Sequence, residues 1–130
     1  MKKKILIVIA DYYKDISIGL LKSAQNYLPK NFIIKTIKVP GVFEIPVTIS
    51  KNLKKYDGFI ALGCVIKGQT PHFDFICNAT FISLSDLSTK SKKPIGNGII
   101  TALNISQAKK RSHEKGEEAA NAVLEVIKNG

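Results

Sequence analysis

A chain of 130 residues, 45% of them apolar, is long and hydrophobic enough for one globular domain, residues 1–130, with a real core. Its net charge is +10, but the basic residues are spread along the chain (Lys2 to Lys4, Lys54-Lys55, Lys90 to Lys93, Lys109 to Arg111). That scatter, without interleaved aromatics, reads as a solvated surface and argues against a nucleic-acid module, while a positive field draws in phosphorylated molecules.

Cys64 and Cys77 are the only cysteines and lack metal-ligand spacing, so a reduced, cytoplasmic setting is expected, with Cys64 a core residue. The start, MKKKILIVIA, mimics a signal peptide, but its apolar run is short and Asp11 follows without a small-residue cleavage site. A first strand is the better reading. No stretch has the length of a membrane span, so no membrane partner is expected.

Taken in order, Lys4 to Ala10 reads as a buried strand. Ile16, Leu20, Ala24, Tyr27 and Leu28 then recur at helical spacing and predict a helix over 16–28. Between them lies Asp11-Tyr12-Tyr13-Lys14, where a tyrosine either packs or stacks on a flat ring. After the Pro29-Lys30-Asn31 turn, Phe32 to Val39 is a second strand, broken by Pro40-Gly41. A helix is expected over 43–54, with Ile45, Ile49 and Leu53 on one face and Glu44 at its start, where a carboxylate complements the helix dipole.

Phe59 to Ile66 is a continuous apolar run, expected as a strand buried on both faces. The chemistry then changes abruptly: Lys67, Gly68, Gln69, Thr70, Pro71, His72. Thr70 can cap a helix, and Pro71 suits the first helical position because its missing N–H would be unpaired there. The loop would lie at the carboxyl end of a strand, where parallel sheets bind ligands, and its N–H groups with the helix dipole make a candidate anion site. An imidazole at His72, in the first turn, is either a solvent-facing ring or a group able to accept and return a proton.

A third helix is expected from His72 to about Ser88, with Ile76, Ala79, Thr80, Leu84 and Leu87 as its apolar face. Pro94 to Ala102 is the fourth strand; Gly96 and Gly98 within it suggest close approach of another backbone or a ligand. Asn104 to Ser106 opens a last helical region with Ala119, Ala120, Val123, Leu124 and Ile127 on one face and Arg111, Lys115 and Glu118 at its polar start. Strands alternating with helices give an α/β fold, a four-stranded parallel sheet in a three-layer α/β/α sandwich.

The run Gly63-Cys64-Val65-Ile66-Lys67-Gly68-Gln69-Thr70-Pro71-His72-Phe73-Asp74 closely resembles the signature of the lumazine synthase family, and Val39-Pro40-Gly41-Val42-Phe43-Glu44-Ile45-Pro46 resembles a second block of it. The resemblance runs nearly end to end. It implies a flavodoxin-like strand order 2-1-3-4 and the penultimate reaction of riboflavin biosynthesis: condensation of 5-amino-6-(ribitylamino)uracil with 3,4-dihydroxy-2-butanone 4-phosphate, with no metal and no redox cofactor.

By the same resemblance His72 is the proton shuttle, Tyr12 stacks on the pyrimidine, and Glu44 holds the ribityl chain, helped by Val42 through its backbone. Phe43, Val65 and Ile66 join them against the substrates. Gln69, Thr70 and Arg111 hold phosphate. Asn97 stands where the family usually has a pocket-lining phenylalanine, and Tyr13 where it often has asparagine. Lys115 and Glu118 match a Lys-Gly-x-Glu motif near the active site, reached here through the short segment Ser112-His113-Glu114.

Family members form homopentamers with active sites between subunits, one giving Tyr12, Glu44 and His72, the next the strand around Asn97 and Arg111. Shell-forming members carry a glycine-containing bend between the arginine and the lysine. With no glycine before Gly116, the helix here is expected to run straight, leaving an isolated pentamer or two pentamers face to face. Two rival readings are an archaeal-type riboflavin synthase and a non-catalytic shell-forming or ligand-holding relative.

Overall fold

The computed structural model describes residues 2–68 and 72–130. Four strands alternate with four α-helices: β1 (Lys4–Ala10), α1 (Lys14–Tyr27), β2 (Ile33–Val39), α2 (Ile45–Lys51), β3 (Gly58–Ile66), α3 (Phe73–Ser91), β4 (Ile95–Ala102) and α4 (Ile105–Asn129). The sheet is parallel with order β2-β1-β3-β4, as the resemblance implied. Its register sets Lys4 opposite Ile33, Ile5 opposite Gly58 and Phe59 opposite Ile95.

The strict alternation of strand side chains divides the core in two. Ile5, Ile7 and Ile9 of β1, with Ile60 and Leu62 of β3, face α1 and α4. Leu6, Val8 and Ala10, with Phe59, Ala61 and Val65, face α2 and α3. Because helices cover both faces, the two central strands are apolar from Ile5 to Ala10 and from Gly58 to Ile66, which is why each reads as an unbroken hydrophobic run. The edge strand β2 is only half covered and carries Lys35 and Lys38, charges that discourage further strand pairing.

On the fourth strand, a Cβ at Gly96 would meet the Ala119 carbonyl oxygen, and one at Gly98 would lie 2.5 Å from a Leu62 methyl. The two glycines thus let the α4 backbone approach the sheet, the close approach their positions suggest. Asn104 caps α4, its side-chain oxygen accepting from the Gln107 N–H at 2.9 Å. The helix runs without interruption through Arg111 to Gly116.

Three expectations are corrected. The helix expected over 43–54 begins at Ile45, preceded by a 3-10 turn over Val42–Glu44; Ile45 and Ile49 are buried, while Leu53 lies in the turn that follows. Pro46 near the helix start supplies no N–H, and the 3-10 turn takes up the chain ahead of it. The third helix opens at Phe73 with His72 as its N-cap residue, rather than with His72 in its first turn; the Thr70 cap, Pro71 at the first helical position and the Gln69 contact lie outside the described residues. On that helix Cys77, Thr80 and Leu84 are buried, whereas Ala79 faces solvent.

Candidate active site

In a sheet of order 2-1-3-4 the crossovers leave β1 and β3 in opposite directions, so the chain diverges beyond these paired strands and leaves a crevice. A cavity of about 320 Å³ occupies it. Its walls come from three segments: Ala10 at the end of β1, with Tyr12 and Tyr13 after it; Pro40 to Glu44 after β2; and Cys64, Val65 and Ile66 at the end of β3, with Ile76 of α3 behind them. Gly63 shapes the floor. A Cβ there would lie 2.7 Å from a Val42 methyl and 3.3 Å from the Ala10 Cβ, so only glycine lets the 3-10 turn settle onto the sheet.

Of the residues singled out in the sequence, Tyr12, Val42, Phe43, Glu44, Val65 and Ile66 line this one cavity. The walls are mostly apolar, with the Glu44 carboxylate and the tyrosine hydroxyls as polar points, the mixture expected of a site for a small organic molecule. Tyr12 and Phe43 are 75% and 62% exposed, and Phe75, tilted against His72 with ring centroids 6.1 Å apart, is 75% exposed. Three large aromatic faces at one end of the sheet thus meet solvent in a single chain.

Cys64 belongs to the site rather than to the core alone. It is half-buried and lines the cavity; its place at the carboxyl end of β3, one residue before Val65, is the signal that would have found it. Burial pushes its thiol up to about 11, and the Arg111 guanidinium pulls the other way. Tyr13 is a second such residue, its phenol raised by burial first and then by Cys64 and Tyr12. Ala10, Pro40, Gly41 and Ile76 complete the wall.

The remaining residues stand elsewhere. Arg111 projects from α4 and donates to the Thr101 carbonyl oxygen at 3.1 Å, near the carboxyl end of β4. Asn97 is exposed, and its side-chain oxygen accepts from the Ile99 N–H at 3.0 Å, capping a backbone donor of the strand. Lys115 is half-buried and Glu118 exposed, one and two turns beyond Arg111 on α4. Neither these four nor His72, exposed at the N-cap of α3, line the cavity of their own chain. Among the described residues no cluster of His, Cys, Asp and Glu is built to hold a metal ion, and no helix is long and apolar enough to cross a membrane.

A family model described as 6,7-dimethyl-8-ribityllumazine synthase matches residues 2–129. The chain is similar to the 6,7-dimethyl-8-ribityllumazine synthase of Bartonella tribocorum (strain CIP 105476 / IBS 506), 44% identical over 98% of this chain and 91% of the relative. Relatives of the same name from Buchnera aphidicola subsp. Schizaphis graminum (strain Sg) and Blochmanniella pennsylvanica (strain BPEN) are each 43% identical, covering 95% and 97% of this chain and 84% and 87% of their own. Matched across nearly its whole length, the chain belongs to the 6,7-dimethyl-8-ribityllumazine synthase family.

Proposed function

We propose that this protein is a transferase of riboflavin biosynthesis that condenses 5-amino-6-(ribitylamino)uracil with 3,4-dihydroxy-2-butanone 4-phosphate, giving 6,7-dimethyl-8-ribityllumazine, phosphate and water. The observation that carries the reading is the meeting of Tyr12, Val42, Phe43, Glu44, Val65 and Ile66, from three distant segments, in one cavity at the switch point of the sheet. Tyr12 presents an exposed ring to a flat pyrimidine. Glu44, an acceptor when ionised, takes hydrogen bonds from the ribityl hydroxyls, beside the backbone of Val42 and Phe43. Val65 and Ile66 close the floor.

The reaction runs through imine formation, loss of phosphate, ring closure and loss of water. Each step moves a proton, and His72 is the group assigned to carry it. Arg111 grips the phosphate bidentately, with Gln69 and Thr70 supplying loop amides. Holding both reactants side by side supplies a further share of the rate. No cofactor is assigned.

The site is shared between chains of a cytoplasmic homopentamer. Two features support this: the aromatic faces of Tyr12, Phe43 and Phe75 lie open in one chain, and Asn97, Arg111, Lys115 and Glu118 do not line that chain's own cavity. One subunit supplies Tyr12, Glu44 and His72; its neighbour brings Asn97 and Arg111, with Lys115 and Glu118 behind. Mixing pure protein with both substrates and following the absorbance of the lumazine tests the function. Turnover of the lumazine itself would instead favour a riboflavin synthase, and no turnover with intact assembly would favour a non-catalytic relative.

A further inference from the structure

Two adjacent tyrosines form the β1 wall of the cavity, and they are held in very different ways. Tyr12 is 75% exposed, and its one aromatic neighbour among the described residues is Tyr13. Tyr13 is anchored at both backbone and ring. Its carbonyl oxygen accepts from the Ser17 N–H at 2.9 Å and from the Ser17 hydroxyl at 3.0 Å. That hydroxyl also lies 3.3 Å from the Ala10 carbonyl oxygen, so one buried serine ties the last residue of β1 to the first turn of α1. The Tyr13 ring packs on the core shared by α1 and α4. The two rings meet edge to face, with centroids 4.9 Å apart and planes at 80°.

An exposed tyrosine without such a neighbour samples several rotamers, and a ligand that needs one of them loses affinity in selecting it. We propose that Tyr13 is a positioning residue that holds the Tyr12 ring, before any ligand arrives, in the orientation that stacks on the pyrimidine substrate. The inference rests on the function proposed above. The brace acts on the flat heterocycle, because what it fixes is the π-face of the Tyr12 ring.

Titration calorimetry with 5-amino-6-(ribitylamino)uracil tests this in a double-mutant cycle. Tyr13→Leu is expected to raise the Kd roughly 2- to 12-fold, the worth of an edge-to-face aromatic pair. Tyr13→Phe, which keeps the ring, recovers most of that loss. In a Tyr12→Leu background, Tyr13→Leu should cost less than it does in the wild type, because there is no ring left to hold, and the shortfall measures the coupling of the two rings. In steady-state assays the Tyr13→Leu loss falls on KM for the pyrimidine and spares KM for the butanone phosphate. Far-UV circular dichroism confirms that each variant is folded. Independent, additive losses from the two tyrosines, or an unchanged Kd in Tyr13→Leu, would overturn the brace while leaving the function intact. Wild-type protein that binds no pyrimidine would overturn both.

Discussion

The Arg111 guanidinium donates to the carbonyl oxygen of Thr101 at 3.1 Å, a bond that ties the first half of α4 to the end of β4. Thr101 stands opposite Val65 in the sheet, so the charge is held beside the last residues of the central strand, close enough to act on the Cys64 thiol. A guanidinium with one N–H committed to a carbonyl still has donors to spare for an anion.

Arg111→Ala should therefore raise KM for the butanone phosphate far more than KM for the pyrimidine. Loss of a charge-assisted hydrogen bond is worth about 1.5–3 kcal/mol, roughly a 10- to 150-fold change. Separate KM measurements decide it, and equal weakening toward both substrates would remove the phosphate role.

His72 stands at the N-cap of α3, exposed, with no hydrogen bond from its side chain to the helix. Its removal should leave the fold intact and strike the chemistry. His72→Ala is expected to lower kcat severalfold to at most about 10²–10⁴-fold, the usual span of general acid–base help. Unchanged kcat at saturating substrates would take His72 out of the proton transfers.

The thiol of Cys64, pushed up to about 11, is neutral throughout the ordinary assay range. At pH 8 roughly one molecule in a thousand carries the thiolate, so iodoacetamide labelling there should be slow. The raised value means that the neutral form is favoured by folding. Its stabilisation is complete below the ordinary thiol value of 9.0 and is lost as pH rises toward about 11. Thermal melts of the wild type and Cys64→Ala should diverge across that alkaline window and run parallel below it. A parallel course at every pH would show the thiol to be unperturbed.

Gly116 sits where α4 crosses α1, and a Cβ there would collide with the Ser23 hydroxyl and the Leu20 carbonyl oxygen. Gly116→Ala should destabilise the protein by about 1–3 kcal/mol, the usual cost of overpacking, because two helix backbones must separate. Adding Ser23→Gly should recover only part of this, since the Leu20 carbonyl remains. Urea midpoints at one protein concentration measure both.

The same crossing bears on assembly. Gly116 is a contact point with α1, and α4 continues through it without a break. In the proposed pentamer, a helix unbroken at this point would project from the edge and obstruct closure into a shell. An isolated pentamer, or two pentamers face to face, with full activity is the expected state. Light scattering that found particles of shell mass would show that the helix does not control closure.

Much of this architecture was legible from local pattern, because its causes are local. The unbroken apolar runs of β1 and β3 and the apolar spacing in α1 and α4 needed only the rule that a sheet covered on both faces has no polar side. The motif blocks around Val42 to Glu44 and Val65-Ile66 pointed to a candidate site at strand ends, where parallel sheets bind ligands, and these residues line one cavity there. The boundaries of α2 and α3 were not legible, since residues such as Glu44 and His72 suit a cap, a 3-10 turn or a first helical turn alike.

What only the tertiary structure decided was distance between segments. Cys64 reads as core in its own strand; the cavity wall it forms exists only because the connections that follow β1 and β3 diverge beside it. Tyr12 and Tyr13 are neighbours in any conformation, but the edge-to-face contact depends on Ser17 fixing the turn between β1 and α1. Arg111 is an ordinary helical arginine until α4 lies down on β4, which Gly96 and Gly98 permit by carrying no side chain. Such relationships depend on which backbones come close. Close approach is set by the packing of the whole sheet, not by the residues on either side of a position.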